Sequence, residues 1–152
     1  MELVHIHPMI VHFPIVLIMA AFLFDAVRLM RGVPASASGS GRACLDTGTI
    51  LAALAGLAAV IAFIFGDLAY DIAMDKGFTE AQLEGHEGWG TTTTIVLVAI
   101  AVVRLVMWWR GMNTSRTGSL LGTAMTAAGS VMVIVTAYFG GQLVYELGVN
   151  VM

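Results

Sequence analysis

The stretch T-G-T-I-L-A-A-L-A-G-L-A-A-V-I-A-F-I-F-G, residues 47–66, contains no charged side chain and decides the class of fold. A helix needs about 20 consecutive apolar residues to cross the hydrocarbon core of a bilayer. Three further apolar runs reach that length, near residues 9–30, 89–109 and 119–139. The sequence therefore predicts an all-α integral membrane protein, an antiparallel bundle of four transmembrane helices.

The composition agrees with this class of fold. Of the 152 residues, 59% are hydrophobic and only 11% are charged, whereas a soluble domain has roughly 25% charged residues. This excludes a soluble globular domain, and the high apolar content excludes disorder. The spans leave no room for a second domain, so we expect residues 1–152 to form one domain.

Charge and cysteine content narrow the functions. Seven Lys and Arg residues and a net charge of −3 provide no basic patch for nucleic acid. Cys44 is the single cysteine, and no C-x-x-C-H motif is present. The sequence therefore predicts no internal disulfide, no cysteine-based zinc or iron–sulfur site and no covalently attached c-type haem.

The basic residues predict the orientation. Those that lie in or flank the first and third loops are Arg28, Arg31, Arg42, Arg104, Arg110 and Arg116. The second loop, residues 67–88, contains only Lys76 and is rich in acidic residues. Because cytoplasmic loops carry the excess of Lys and Arg, we expect both termini and this external loop on the periplasmic side of a prokaryotic inner membrane.

Small residues recur at every fourth position of the second and fourth runs. These residues are Gly48, Ala52 and Gly56, and then Gly122, Thr126 and Ser130. Such faces let helix backbones approach closely in lipid. The pattern favours packing within the chain, with a homo-oligomer through the same faces as the alternative.

The start of the first run, H-P-M-I-V-H-F-P at residues 7–14, contains two of the candidate ligands. Pro14 removes the hydrogen-bond donor for the Ile10 carbonyl, so we expect a bend there that opens a wedge between helices. His12 would lie in that wedge, and ionisable residues inside a span usually face the bundle and mark function. His7 lies nearer to water, and His5 is interpreted as a solvated terminal residue.

Other polar residues belong to the same predicted outer end. His86 lies in E-G-H-E-G-W-G, residues 84–90, and Asp67 follows the second run. Gln142 and Tyr145 follow the fourth run and could bond to a ligand or a histidine. We expect these residues to converge with His12 when the helices pack antiparallel.

The same part of the sequence contains signals for helix ends. Gly140 and Gly141 are expected to end or bend the fourth helix. Thr79 is typical of the N-cap of a short helix that lies on the membrane surface.

The opposite end has an ordinary interpretation. Arg104 can extend its guanidinium to the interface. Asp25 can pair with Arg28 one helical turn later, and Asp46 can cap the second helix.

Four motifs together resemble a known family. They are H-P-x-x-V-H-F-P at 7–14, the pair Gly66-Asp67, His86, and G-G-x-L-V-Y-x-x-G-V at 140–149. The chain resembles a bacterial and archaeal family of small four-helix membrane proteins that is classified as a domain of unknown function. Relatives occur fused to Rieske-type iron–sulfur domains, so the resemblance implies a redox context. It assigns no reaction, and we expect any electron donor to be a separate protein.

The first functional hypothesis is a b-type cytochrome, an electron-transfer subunit rather than a stand-alone enzyme. Bundles commonly hold haem between histidines of facing helices. His7 and His12 share one helix, so the axial pair would combine His86 with one of them, and the deeper His12 is favoured. One haem b near the periplasmic face would pass electrons between an external donor, such as a cytochrome or Rieske-type protein, and quinone or a partner subunit.

Two alternatives remain open from the sequence. His7, His12 and His86 with Asp67 or Glu87 could hold a zinc, copper or iron ion. The chain could also be a scaffold subunit whose histidines satisfy buried backbone groups.

Overall fold

The computed structural model describes residues 6–32 and 45–149, which are α-helical apart from short turns. The helices are α1 (Ile6–Ile10), α2 (His12–Arg31), α3 (Thr47–Asp75), α4 (Glu80–Trp109) and α5 (Arg116–Tyr145), with a 3-10 turn at Met112–Thr114. Since α1 and α2 form one span, Ile6–Arg31, four helical segments are long and apolar enough to cross a membrane. The predicted all-α, four-span fold is confirmed. His5, Arg42 and Cys44 lie outside the described residues.

The helices are longer than the apolar runs predicted for them. α3 continues beyond Gly66 to Asp75, and α4 already begins at Glu80. The external loop expected at 67–88 is therefore helical except at residues 76–79. The Thr79 backbone N–H donates to Gln82 Oε1 at 2.8 Å, so the predicted cap is present, but the helix that it starts is a membrane span.

The same extension occurs at the end of α5. The helix passes through Gly140 and Gly141 and ends at Tyr145, so the expectation that the helix ends at the two glycines is wrong. Transmembrane helices tolerate glycine because lipid cannot compete for backbone hydrogen bonds. Because of these extensions, α3, α4 and α5 continue as helices beyond their apolar runs into the polar segments at one end of the bundle.

The first span is interrupted where the sequence predicts it. α1 ends at Ile10 and α2 begins at His12. Pro14 is buried, and it has no N–H to donate to the Ile10 carbonyl. The interruption at Val11 follows from this missing donor and is one residue long. Val11 keeps helical dihedral angles, and its N–H donates to the His7 carbonyl at 3.1 Å, so the span continues through it.

The spans form a ring in chain order. α3 packs between α2 and α4, and α5 packs against the same two helices from the other side. Consequently α2 and α4 are diagonal, as are α3 and α5. The core between them contains Ile18 and Leu97, which are 0% and 1% exposed.

The predicted small-residue faces lie inside this bundle. All six residues are buried. A Cβ atom added at Gly56 would lie 2.8 Å from the Cβ atom of Ala101, and one added at Gly129 would lie within 3.1 Å of Ile18, Ile100 and Leu97. The small side chains therefore allow close packing within one chain, as the sequence favours.

Candidate functional site

Two histidines from different helices meet at one end of the bundle. His7 lies on α1 and His86 near the start of α4, and their ring centroids are 6.1 Å apart with an angle of 75° between the ring planes. Both side chains are half-buried. We call them the histidine pair, and this end of the bundle the histidine end.

Each imidazole is bonded to a backbone carbonyl of a neighbouring helix. His7 Nδ1 lies 3.0 Å from the Ala62 carbonyl oxygen on α3. His86 Nδ1 lies 3.3 Å from the Thr136 carbonyl oxygen on α5. A carbonyl only accepts, so each Nδ1 carries the proton and donates it. In the neutral imidazole, Nε2 is then unprotonated, which is the form in which imidazole binds a metal.

Two glycines make room for these rings. A Cβ atom at Gly66 would lie 2.9 Å from His7 Cε1, and a Cβ atom at Gly140 would lie 2.9 Å from His86 Cε1. Each glycine lies one helical turn beyond the carbonyl to which the imidazole donates. The rings therefore rest directly on the backbones of α3 and α5, where any larger residue would displace them.

The surroundings of the two rings differ in polarity. Next to His86, Thr136 Oγ1 is 2.7 Å from Thr93 Oγ1 and donates to the Trp89 carbonyl at 3.2 Å. The carbonyl that holds His7 belongs to Ala62, which has no hydroxyl. Thr93 is buried, so a hydroxyl pair accompanies His86 inside the bundle.

His12 is not part of the histidine pair. Its side chain is exposed, and Nδ1 lies 2.6 Å from the Pro8 carbonyl oxygen on its own span. Five residues along a helix rotate a side chain by about 140°, so His7 and His12 cannot face the same neighbours. The position expected for His12, in a wedge between helices, is wrong, and His7 is the residue that meets His86.

The other predicted site residues lie around the pair rather than in it. Asp67 and Glu87 are exposed. Gln142 is half-buried and donates from Nε2 to the Tyr138 hydroxyl at 3.3 Å, and Tyr145 is 90% exposed. Within residues 6–32 and 45–149, no three His, Cys, Asp or Glu residues are grouped closely enough to hold a metal ion.

A buried ionic cluster occupies the other end of the bundle, which we call the ion-pair end. Arg104 Nη2 lies 3.0 Å from Asp25 Oδ1 and 3.1 Å from Asp46 Oδ1, and Arg28 Nη1 lies 3.3 Å from Asp46 Oδ1. Arg104 is only 3% exposed, so the predicted extension of its guanidinium to the interface is wrong. Asp25 pairs with Arg104 across the bundle instead of with Arg28, because α2 and α4 face each other there.

Asp46 is the N-cap of α3, as the sequence predicts. Its Oδ1 accepts from the Thr49 N–H at 2.9 Å, and its Oδ2 accepts from Asn113 Nδ2 at 2.6 Å. Burial raises the pKa of this carboxyl, but the hydrogen bonds from Thr49 and the charges of Arg104 and Arg28 outweigh burial and hold the pKa below its ordinary value. The carboxylate is therefore charged and connects the start of α3 to Asn113 and to the two arginines.

The residues at the histidine end and at the ion-pair end are related by one internal repeat, which the motifs do not reveal. His7 and His86 are as far apart in the chain as Asp25 and Arg104, 79 residues. Asp25 and Arg104 each lie five turns, about 18 residues, beyond the corresponding histidine on the same helical face. The span that ends at Arg31 thus corresponds to α4.

The glycines repeat in the same way. A Cβ atom at Gly48 would clash with Asp25, and one at Gly122 would clash with Arg104. Gly48 precedes Gly66 by the same number of residues as Gly122 precedes Gly140. At both ends, therefore, the contact between the first span and α3 corresponds to the contact between α4 and α5.

The internal repeat is visible in the sequence when its two halves are aligned. Aligning residues 7–32 with 86–111 pairs His7 with His86 and the terminal Arg-Gly dipeptides with each other. Gly32 and Gly111 are both left-handed, with φ of 63° and 69°. Aligning 48–66 with 122–140 pairs both terminal glycines. The repeat would have identified His7 rather than His12 as the counterpart of His86.

A family model described as predicted membrane protein (DUF2231) matches residues 4–152. The chain belongs to the DUF2231 family. The match includes the histidine pair, both glycines and the ion-pair end, so the whole repeat lies inside the DUF2231 region. No curated protein and no solved structure matches this chain.

Proposed function

We propose that this DUF2231 protein binds one haem b between His7 and His86 and serves as an electron-transfer subunit of the membrane. The observation that supports the proposal is the approach of two imidazoles from different helices, with ring centroids 6.1 Å apart. The axial pair is then His7 and His86, the alternative that the sequence left open beside His12.

The separation of the rings suits a shared metal. Two imidazoles that bound one metal from opposite sides, with metal–nitrogen bonds of about 2 Å, would have their Nε2 atoms about 4 Å apart. The ring centroids lie behind these nitrogens, which brings them to about 6 Å. The hydrogen bonds at Nδ1 favour the required tautomer and, as around other metal-bound histidines, fix the ring and raise its basicity.

The number of protein ligands favours haem over zinc. A porphyrin supplies four nitrogens, so the protein needs to provide only two axial ligands. Zinc takes at least three protein ligands in its usual sites, and the described residues bring no third His, Cys, Asp or Glu to the pair. A copper ion bound by two imidazoles is the alternative that the same geometry supports.

The charge of the histidine end supports a basic redox partner. Exposed carboxylates surround it, namely Asp67, Asp71, Asp75, Glu80, Glu84, Glu87 and Glu146, against the single basic residue Lys76. Opposite charges speed and orient the encounter of redox proteins. With the orientation that the basic loops predict, a positively charged periplasmic cytochrome or Rieske-type protein would exchange electrons with the haem. Quinone in the bilayer would be the second redox partner of the haem.

Cofactor analysis of the purified protein tests the proposal. The chain is expressed with a haem precursor, purified in detergent and assayed by the pyridine haemochrome method together with elemental analysis. Haem b and iron equimolar with the chain are expected. Stoichiometric copper or zinc without haem would replace the haem proposal by the ion alternative, and protein without haem or metal would leave the scaffold interpretation.

A further inference from the structure

We infer that Asp25 and Arg104 determine which helical hairpins associate, so that the two halves of one chain pair with each other and not with the like halves of another copy. The first hairpin is α2 with α3, and the second is α4 with α5. This inference goes beyond the haem proposal and does not depend on it.

The packing faces of the two hairpins bury corresponding positions of the repeat. The repeat places His7 opposite His86. Ile18 and Leu97 correspond in the repeat, are both almost completely buried and meet beside Gly129. A first hairpin would therefore find in a second copy of itself the same central apolar contact that it finds in the second hairpin, although Ala21 stands where the second hairpin has Ile100.

The ion-pair end removes this ambiguity because corresponding positions carry opposite charges. The first hairpin and its N-cap contribute Asp25, Arg28 and Asp46 to the cluster, and the second contributes Arg104. The native pairing is neutral. Two first hairpins would bury two surplus negative charges and place Asp25 against Asp25, whereas two second hairpins would place Arg104 against Arg104.

Burial makes this difference decisive. The side chains of Asp25 and Arg104 are both 4% exposed, so neither water nor salt can screen a like-charge contact there. Discrimination between partners commonly uses such repulsion as well as attraction.

Disulfide trapping in the full-length chain tests the inference. Ile18→Cys, in a Cys44→Ser background, reports contact between two first hairpins, and Leu97→Cys reports contact between two second hairpins. Asp25→Asn and Arg104→Asn each break the native ion pair. Only Asp25→Asn removes the repulsion between first hairpins, and only Arg104→Asn removes the repulsion between second hairpins.

We expect each charge variant to increase disulfide cross-linking at only one of the two cysteine positions. Asp25→Asn raises cross-linked dimers at position 18 at least several-fold and leaves position 97 unchanged, whereas Arg104→Asn raises them at position 97 alone. Val16→Cys, on the exposed side of α2, controls for collision and unfolding. Equal behaviour of the two charge variants, or increases at position 16 as large as at position 18, would overturn the inference.

Discussion

The imidazoles of His7 and His86 lie with their centroids 6.1 Å apart, and each is held by a carbonyl of a different helix. Helices α1, α3, α4 and α5 all contribute to this arrangement, so the site exists only when the four spans are assembled. In the proposed haem site, the hydrogen bonds at Nδ1 would hold both rings with Nε2 available to the metal.

The glycines under the rings give the first prediction. Gly66→Ala and Gly140→Ala each place a methyl group 2.9 Å from an imidazole carbon, so the ring must move and the haem content of purified protein should fall several-fold. Gly88→Ala is the matched control, because a Cβ atom there meets nothing within 4 Å. Equal haem content in all three variants would show that the rings do not need the glycine backbones.

Arg104→Gln tests the buried ion pair. Removing one partner leaves Asp25 buried without its ionic partner, which costs about 3–5 kcal/mol of unfolding free energy. Arg110→Gln, an exposed residue that follows the same helix, should change the unfolding free energy by at most about 0.5 kcal/mol. Unfolding in mixed micelles with increasing dodecyl sulfate measures both, and similar values for the two variants would contradict the assignment.

Asp46 makes the stability depend on pH. Its pKa is lower in the folded chain than in the unfolded chain, where an aspartate has a pKa of about 3.9. Its contribution is therefore complete above that value and is lost as the pH falls through the lower folded pKa. The unfolding free energy should decrease in this acid range, and Asp46→Asn should lower stability at neutral pH and flatten the decrease. An unchanged slope in the variant would assign the acid sensitivity to other groups.

The orientation is tested by reporter fusions after Met152. The distribution of Lys and Arg predicts that both termini are periplasmic. A reporter that functions only in the periplasm should be active there, and one that functions only in the cytoplasm should be inactive. The reverse pattern would place the histidine end on the cytoplasmic side and remove the periplasmic donor from the proposal.

The number of spans and several local features could be predicted from the sequence. The apolar run at 47–66 is long enough to require a span whatever its neighbours are. The interruption before Pro14 and the cap at Asp46 follow from the hydrogen bonds available within a few residues. His86 was identified because its sequence position puts it at the end of a span.

The choice between His7 and His12 could not be made in this way. It depends on the rotation of the first span about its axis, which is set by contacts with α3 that a single motif does not contain. The same reason explains Arg104, whose partners Asp25 and Asp46 lie on other parts of the bundle. The internal repeat does carry this information, since it relates His7 to His86 and Asp25 to Arg104, and it is visible when the two halves are aligned.

The most direct test of the haem site is the low-temperature electron paramagnetic resonance spectrum of the oxidised protein in four forms: unsubstituted, His7→Ala, His86→Ala and His12→Ala. We expect a low-spin bis-histidine signal in the unsubstituted protein and in His12→Ala, and its loss from both His7→Ala and His86→Ala. A low-spin signal that survives in His7→Ala and disappears in His12→Ala would contradict this expectation.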